Sequence, residues 1–331
     1  MPVIVKTPLR ISLFGGGTDY REYFDRKGGA VLGGTINKHI YMVHLPMSPV
    51  AQTRYRLTYS KVETIDHIDD IQHPVIREVL KDENYDIPFN LAIISDVPGG
   101  SGLGSSSSFT VGFLKLVRYL KGEMITKFDL ARAAIRIESE VLQERVGVQD
   151  QFHASYGGFS LYEFNKDAVA ISPIQISTTF RDSLNASLIL VHTKRYRSAS
   201  HILEEQIKST REGHIDNNLE DMKSLCYEAR QVLQNDPSDE ALVEIGRMLS
   251  ENWRIKRSLS SAISNAHLDE IFDTGMQLGA YGGKLAGAGN GGFFIFLAPQ
   301  DAIRKMQATF GEERVIKAEF QDEGSHLIKA F

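Results

Sequence analysis

The chain has one cysteine in 331 residues, Cys226, so it can form no intrachain disulfide and has no thiolate cluster for zinc. Cys226 reads as an ordinary helix residue. No apolar run approaches the roughly 20 residues of a membrane-spanning helix. The N-terminus runs from Val3, Ile4 and Val5 to Arg10 without the basic region and long apolar core of a signal peptide, and a soluble cytoplasmic protein is expected. A formal charge of -5 leaves no basic footprint for nucleic acid. The charged clusters at 66–70 and 194–197 are too short to act as tails. Familiar nucleotide motifs are missing as well. Nothing matches Gly-x-x-x-x-Gly-Lys-Ser/Thr, and Gly-x-Ser-x-Gly fails around Ser101 because position 103 is Leu. Gly287-x-Gly289-x-x-Gly292 fits the dinucleotide fingerprint in letters only, because it leads into an apolar strand pattern and not into a helix. No low-complexity segment and no fixed-period repeat is present.

What the chain has is glycine in three places. Its length and 42% apolar content suit two domains with separate cores. The densest stretch, Pro98, Gly99, Gly100, Ser101, Gly102, Leu103, Gly104, Ser105, Ser106, Ser107 and Ser108, lies between an apolar run at 89–94 and a helical pattern of Phe109, Phe113, Leu116, Val117 and Leu120. Strand, glycine loop and helix start together present free amides and the positive end of a helix dipole, which suits a phosphate. Four consecutive serines at that point offer hydroxyls to phosphate or to a hard cation. Shorter glycine stretches occupy 15–17, after an extended segment at 8–14, and 279–292, before the apolar run 293–297. Each of these alone reads equally well as a tight turn.

The first third of the chain reads mostly as sheet, with a short helix at 73–80. Thr126 and Asp129 open a capping box for a helix whose face carries Leu130, Ala134, Ile137 and Val141, ending near Val146 and Gly147. Glu138 rides beside that face, and Asp150 follows the helix end in a polar segment. Residues 198–278 are strongly helical, broken near Gly213 and at 235–238. The pattern weakens between 165 and 182, which puts a domain boundary there and divides the chain into residues 1–170 and 171–331. Phosphate chemistry requires a metal site and a group to handle the acceptor hydroxyl, and Glu138 with a serine of the 98–108 loop are candidates for the metal. A solvent-facing glutamate and a turn-forming aspartate are the alternative readings of Glu138 and Asp150.

Taken together, the three stretches resemble the three motifs of the GHMP kinase superfamily. Pro8-Leu-Arg-Ile-Ser-Leu-Phe-Gly-Gly-Gly-Thr-Asp19 is similar to the first, residues 98–108 to the ATP-binding second, and Lys284-Leu-Ala-Gly-Ala-Gly-Asn-Gly-Gly-Phe293 to the third. Within the superfamily the chain looks most like heptose 7-phosphate kinases and related fucokinase domains, through His73-Pro-Val-Ile-Arg77, Gly147-x-Gln149-Asp150-Gln151 and Thr193 with Arg197-Ser-Ala-Ser200. It departs from the family at Asn290 and Lys194, where glycine is expected.

The resemblance implies an α+β, two-domain fold, the N-terminal domain similar to ribosomal S5 domain 2 and the C-terminal one ferredoxin-like, with ATP and sugar between them. It implies Asp150 as the group that orients or deprotonates the acceptor hydroxyl, assisted by Arg10. Ser106 and Glu138 would hold Mg2+, and residues 98–107 would hold the nucleotide. Gly17, Thr18 and Asp19 would bind the sugar, and Arg197, near Lys194 and Arg195, a sugar phosphate. The activity expected is ATP-dependent phosphorylation of the anomeric hydroxyl of heptose 7-phosphate. A kinase for another sugar such as fucose, or a non-catalytic binding protein on this scaffold, is the alternative. The expected partner is a small sugar or sugar phosphate, not nucleic acid or membrane, with a homodimer left open.

Overall fold

The computed structural model describes residues 2–195, 200–235 and 238–329. Its strands are β1 Val3–Phe14, β2 Gly29–Pro46, β3 Tyr55–Thr58, β4 Val62–Ile65, β5 Phe89–Ser95, β6 Phe159–Phe164, β7 Val169–Pro173, β8 Leu188–His192, β9 Gly282–Leu285, β10 Phe293–Leu297, β11 Val315–Lys317 and β12 His326–Lys329. They form two sheets, one of eight strands and one of four.

The first sheet is organised by β2, an 18-residue strand. Its first part pairs with β6 from Gly29 to Gly34, and its last part pairs with β5 from Ile40 to Pro46. The strand β1 lies along its other edge, and the only parallel pair described in this sheet joins β3 to β5. Helices Ser105–Leu120 and Gln149–Tyr156 pack on β1, and Lys127–Arg136 packs on both of these helices. The helix Ser105–Leu120 buries Phe109, Phe113, Leu116 and Val117, four residues of the sequence-derived face.

The second sheet has the order β11-β8-β10-β9 and is antiparallel throughout. Numbered along the chain its strands run 4-1-3-2. Helices lie between the first and second strands and again between the third and fourth, which is the split β-α-β arrangement of a ferredoxin-like domain. The helices Asp216–Asn235, Asp239–Ser258 and Ala266–Gln277 match the long helical region expected from the sequence. Cys226 is a buried helix residue, as expected, with its Sγ 3.3 Å from the carbonyl of Ala30.

Two expectations about chain organisation are corrected. A division at 170/171 cuts through β7, which is paired with β6 over its whole length. The sheets separate after Pro173, and β12 returns from the C-terminus to pair with β1. Sequence periodicity misses β7 because it is short and none of its residues is buried, which leaves no apolar face to read. The helix starting at Thr126 also does not run to 146. Its cap is as read, Thr126 Oγ1 accepting from the amide of Asp129 at 3.1 Å, but its last turn widens to π geometry over Ile137–Val141, and the chain leaves the helix at Leu142. That wide turn carries Glu138, and π turns of this kind gather at functional positions.

Candidate active site

A cleft of about 640 Å³ opens between the two sheets, within the range of small-molecule sites. All three glycine stretches meet at it. The loop before helix Ser105–Leu120 is locked from behind by the third stretch: the amide of Phe293 donates to the carbonyl of Ser101 at 3.2 Å. Gly292 makes this approach possible. Its φ is +94°, and a Cβ there would lie 2.3 Å from the carbonyl oxygen of Ser101. Gly292→Ala is therefore expected to unseat the loop, lowering the melting temperature by several degrees and raising KM for ATP about tenfold or more; steady-state kinetics and a thermal melt check this. The dinucleotide-like Gly287-x-Gly289-x-x-Gly292 does feed β10, so it has no crossover helix behind it.

Arg10 stands at the centre of the cleft. Its Nε and Nη2 donate to Oδ1 and Oδ2 of Asp150, both at 2.7 Å, and its Nη1 donates to the carbonyl of Gly102 at 2.7 Å. One guanidinium thus ties the carboxylate to the glycine loop with fixed geometry. Asp150 is not in a coil after a helix. It lies in the first turn of Gln149–Tyr156, where the positive end of the helix dipole favours a carboxylate. The residue before that helix is Val148, which offers no capping oxygen, and this hides the helix start from sequence rules.

Glu138 lies behind the loop and is almost fully buried. Burial pushes its pKa up to about 7, opposed by the nearby polar groups of Thr110, Ser107 and Gln151 and aided by repulsion from Asp150. Its Oε2 accepts from Ser107 Oγ at 2.9 Å and from Gln151 Nε2 at 2.6 Å. Its Oε1 has no partner. The hydroxyl that hydrogen-bonds Glu138 directly is that of Ser107, while Ser106, expected with Glu138 to hold Mg2+, makes no such bond. One residue along a helix turns the side chain by about 100°, and Ser106 is left exposed on the cleft side. An orphaned buried carboxylate oxygen, with the Ser107 hydroxyl on its fellow oxygen and the Ser106 hydroxyl facing the cleft, offers hard oxygens of the kind Mg2+ takes, its remaining positions being filled by water and phosphate. Among the described residues no cluster of three or more His, Cys, Asp or Glu offers an all-protein metal site.

Asp19 is buried at the far side of the cleft wall. Its Oδ1 accepts from the amide of Gly17 at 2.9 Å, and burial raises its pKa despite that bond. Gly147 covers it closely, because a Cβ there would lie 2.0 Å from Asp19 Oδ2. Gly17 and Asp19 line the cleft, but Thr18 does not. The Thr18 hydroxyl lies 2.8 Å from the carbonyls of both Gly15 and Ala30, which share its one proton, and accepts from the amide of Ala30. Its role is to fasten the turn, and the expectation that it binds substrate is corrected on that ground.

Of the nucleotide-loop residues, only Ser106 and Ser107 border the cavity itself, and the remainder shape the loop around it. Arg197 lies outside the described residues. Its neighbours Lys194 and Arg195 are exposed, Lys194 Nζ lying 3.7 Å from Glu313, and neither borders the cleft. The carbonyl of Arg195 instead receives the amide of Gly292 at 3.2 Å. Lys194 and Asn290, the two departures from glycine, have φ of +57° and +60°, the left-handed backbone that explains why glycine is expected at both.

Other cleft residues escaped the sequence reading, among them Arg145, Glu204, Gln206 and Lys256. Lys284 was quoted within a motif but given no role. The structure makes Lys284 a lone charge in a four-residue strand that is buried throughout. The loop residue Arg145 and Glu204 form a loose pair at 3.6 Å across the cleft mouth, and no local pattern announces it.

The comparisons with known proteins agree with this geometry. The model "GHMP kinases N terminal domain" matches residues 71–158, and "GHMP kinases C terminal" matches 233–314. A D-glycero-alpha-D-manno-heptose 7-phosphate kinase from Campylobacter jejuni is 32% identical over 330 residues, covering 94% of each chain. Among solved structures, a putative sugar kinase from Campylobacter jejuni is 27% identical with a TM-score of 0.72, covering 99% of this chain and 98% of that one. A D-glycero-D-manno-heptose 1-phosphate kinase from Bacteroides thetaiotaomicron shares the fold at 24% identity and a TM-score of 0.79, with 99% of both chains covered. No helix among the described residues is long and apolar enough to cross a membrane. With its three glycine stretches joined around one cleft and a full-length relative at this identity, the chain belongs to the GHMP kinases and is a sugar kinase of that family.

Proposed function

We propose that this enzyme transfers the γ-phosphoryl group of ATP to the anomeric hydroxyl of D-glycero-D-manno-heptose 7-phosphate, giving the 1,7-bisphosphate. The observation that carries the transfer chemistry is the Arg10–Asp150 pair fastened to the glycine loop through Gly102. The choice of acceptor draws on the Campylobacter jejuni relative.

Phosphoryl transfer requires positioning and charge stabilisation more than covalent help from the protein. Each Asp150 oxygen accepts one N–H from Arg10, and a carboxylate oxygen has a second lone pair to receive the acceptor hydroxyl. The main work of Asp150 is to orient the hydroxyl and receive its proton as it leaves late in the transfer. Arg10 keeps that carboxylate in place and adds positive charge beside the developing alkoxide. Amides and hydroxyls from Gly100 to Ser107 hold the phosphates at the start of the helix. Asp19 accepts hydrogen bonds from sugar hydroxyls, with Gly17 shaping the approach. Glu138 with Ser106 and Ser107 would hold Mg2+, which supplies neutralisation of the phosphate charge.

The test is ADP release with a panel of sugars and sugar 6- and 7-phosphates. Turnover is expected with heptose 7-phosphate at a kcat/KM at least about a hundredfold above that with the unphosphorylated heptose, since a site built for a phosphate loses its charged hydrogen bonds without one. Activity confined to an unphosphorylated sugar such as fucose refutes the assigned acceptor.

A further inference from the structure

A second cavity, of about 410 Å³, lies on the side of the eight-stranded sheet and has the size of a small-molecule site. It shares no lining residue with the cleft, yet the two approach closely along the chain. Tyr20 borders the cleft and Arg21 the second cavity, while Gly147 and Gln149 border the cleft and Val148, between them, the second cavity. A ligand in the second cavity therefore rests on the far side of the segments that carry Asp19 and Asp150.

The floor of this cavity is aromatic. Phe24, Val148 and Phe152 belong to a small apolar cluster separate from the main core, and Phe128 packs against it while only half-buried. The rings of Phe128 and Phe152 lie 5.9 Å apart at 50°, which leaves flat apolar surface toward the opening. Phe128 and Arg132 are four residues apart on helix Lys127–Arg136 and so share one face, with the guanidinium 5.9 Å from the ring centroid.

The rim carries cations that the protein leaves without carboxylate partners. Among the described residues Arg21 and Lys166, both exposed, have no hydrogen-bond or ion-pair partner for their charged groups, and Arg132 has only the Phe128 ring. Most of the rim acids are engaged elsewhere. Asp129 Oδ2 accepts from the Thr126 hydroxyl at 2.7 Å, and Glu140 acts on Arg136, which also pairs with Asp82. Asp167, on the turn between β6 and β7, is then the one acid set against three cations. A ring-lined floor under a rim with surplus positive charge is complementary to an aromatic anion.

We propose that this cavity binds a small anion with a flat ring, the chemistry shared by nucleotides and aryl acids, as a ligand site separate from the cleft. The ring lies against Phe128 and Phe152, and the acid group meets Arg132, Arg21 and Lys166, because a guanidinium can stack on a ring and still offer its N–H fork to an anion. The site does not depend on which hydroxyl the enzyme phosphorylates.

The probe is anilinonaphthalene sulfonate, a fused ring system with an anionic group, titrated by fluorescence and calorimetry while a non-hydrolysable ATP analogue saturates the cleft. Wild type is expected to bind one probe per chain under these conditions. The triple variant Arg21→Ala, Arg132→Ala, Lys166→Ala removes the charge and is expected to weaken binding about tenfold or more. Ala133→Phe keeps every charge but fills the cavity that Ala133 lines, and a similar loss is expected. Both variants should retain wild-type turnover. Displacement of the probe more readily by adenosine monophosphate than by phenyl phosphate assigns the site to a nucleotide, and the reverse order to a simple aryl acid. Loss of the probe when the ATP analogue fills the cleft, a probe that neither competitor displaces, or a folded variant of either kind that binds it as tightly as wild type overturns the proposal. If Ala133→Phe does not fold, as judged by circular dichroism, the triple variant carries the test, since its three side chains are exposed.

Discussion

Asp150→Asn is expected to lower kcat about a thousandfold while the affinity for ATP stays within a few-fold of wild type. The substitution keeps the size of the side chain and its place in the first turn of Gln149–Tyr156. It removes one of the two acceptors that the Arg10 fork uses and replaces it with an N–H₂ that faces the guanidinium. The amide must turn away, the acceptor hydroxyl loses its oriented partner, and no group remains to take the proton. The nucleotide loop is held separately, through Ser101 and the third glycine stretch, and keeps its form. Stopped assays for kcat and calorimetric titration with a non-hydrolysable ATP analogue separate the two effects. Equal losses in kcat and in nucleotide affinity contradict the assignment, because they mark Asp150 as a strut for the loop.

Glu138→Gln is expected to have the second-largest effect, and its signature lies in pH and metal dependence. Burial raises the Glu138 pKa from 4.5 to about 7, so the folded protein holds this proton more tightly than the unfolded chain does. The stability associated with the protonated carboxyl is fully present below pH 4.5 and is lost as pH rises through about 7. At about 1.4 kcal/mol per pH unit the loss is on the order of 3 kcal/mol by pH 8. A glutamine is neutral throughout, so the variant lacks this slope and in metal-free buffer at pH 8 is more stable than wild type. Its amide can still accept from Ser107 and Gln151, which keeps the local packing. Mg2+ should reverse the order, because an ionised Glu138 gains a cation and a glutamine does not. Thermal melts of both proteins at pH 5 and pH 8, with and without Mg2+, check the prediction, with kcat of the variant down about a hundredfold. Mg2+ that stabilises both proteins equally at pH 8 argues against Glu138 as its ligand.

Much of the fold was legible because its elements obey local rules. The helix Ser105–Leu120 carries a clean apolar stripe, the Thr126 cap closes as its sequence suggests, and the long helices of the C-terminal half begin and end near the turn signals. What stayed hidden depends on tertiary context. Strand β9 reads Gly-Gly-Lys-Leu, a poor strand by propensity, and forms because β10 and helix Asp239–Ser258 enclose it. The wide turn at Ile137–Val141 has no proline or glycine to announce it.

In the site, Arg10 and Asp150 are 140 positions apart, and only the resemblance of the whole motif set placed them together. That Ser107, next to Ser106, hydrogen-bonds Glu138 was not legible, because which serine of four faces a buried side chain depends on the turn of the helix. Thr18 shows the opposite limit: a hydroxyl inside a substrate-binding motif can be entirely used by the turn that shapes the motif.

The central claim is that the Arg10–Asp150 pair directs a phosphoryl group from ATP onto the anomeric oxygen of a heptose phosphate. Its most direct measurement is phosphorus NMR of the product formed from ATP and D-glycero-D-manno-heptose 7-phosphate by the wild-type enzyme and by Asp150→Asn. The account predicts one new resonance coupled to the anomeric proton for wild type, and for the variant the same resonance appearing about a thousandfold more slowly. Phosphate on any other hydroxyl, or the same rate from both proteins, contradicts it.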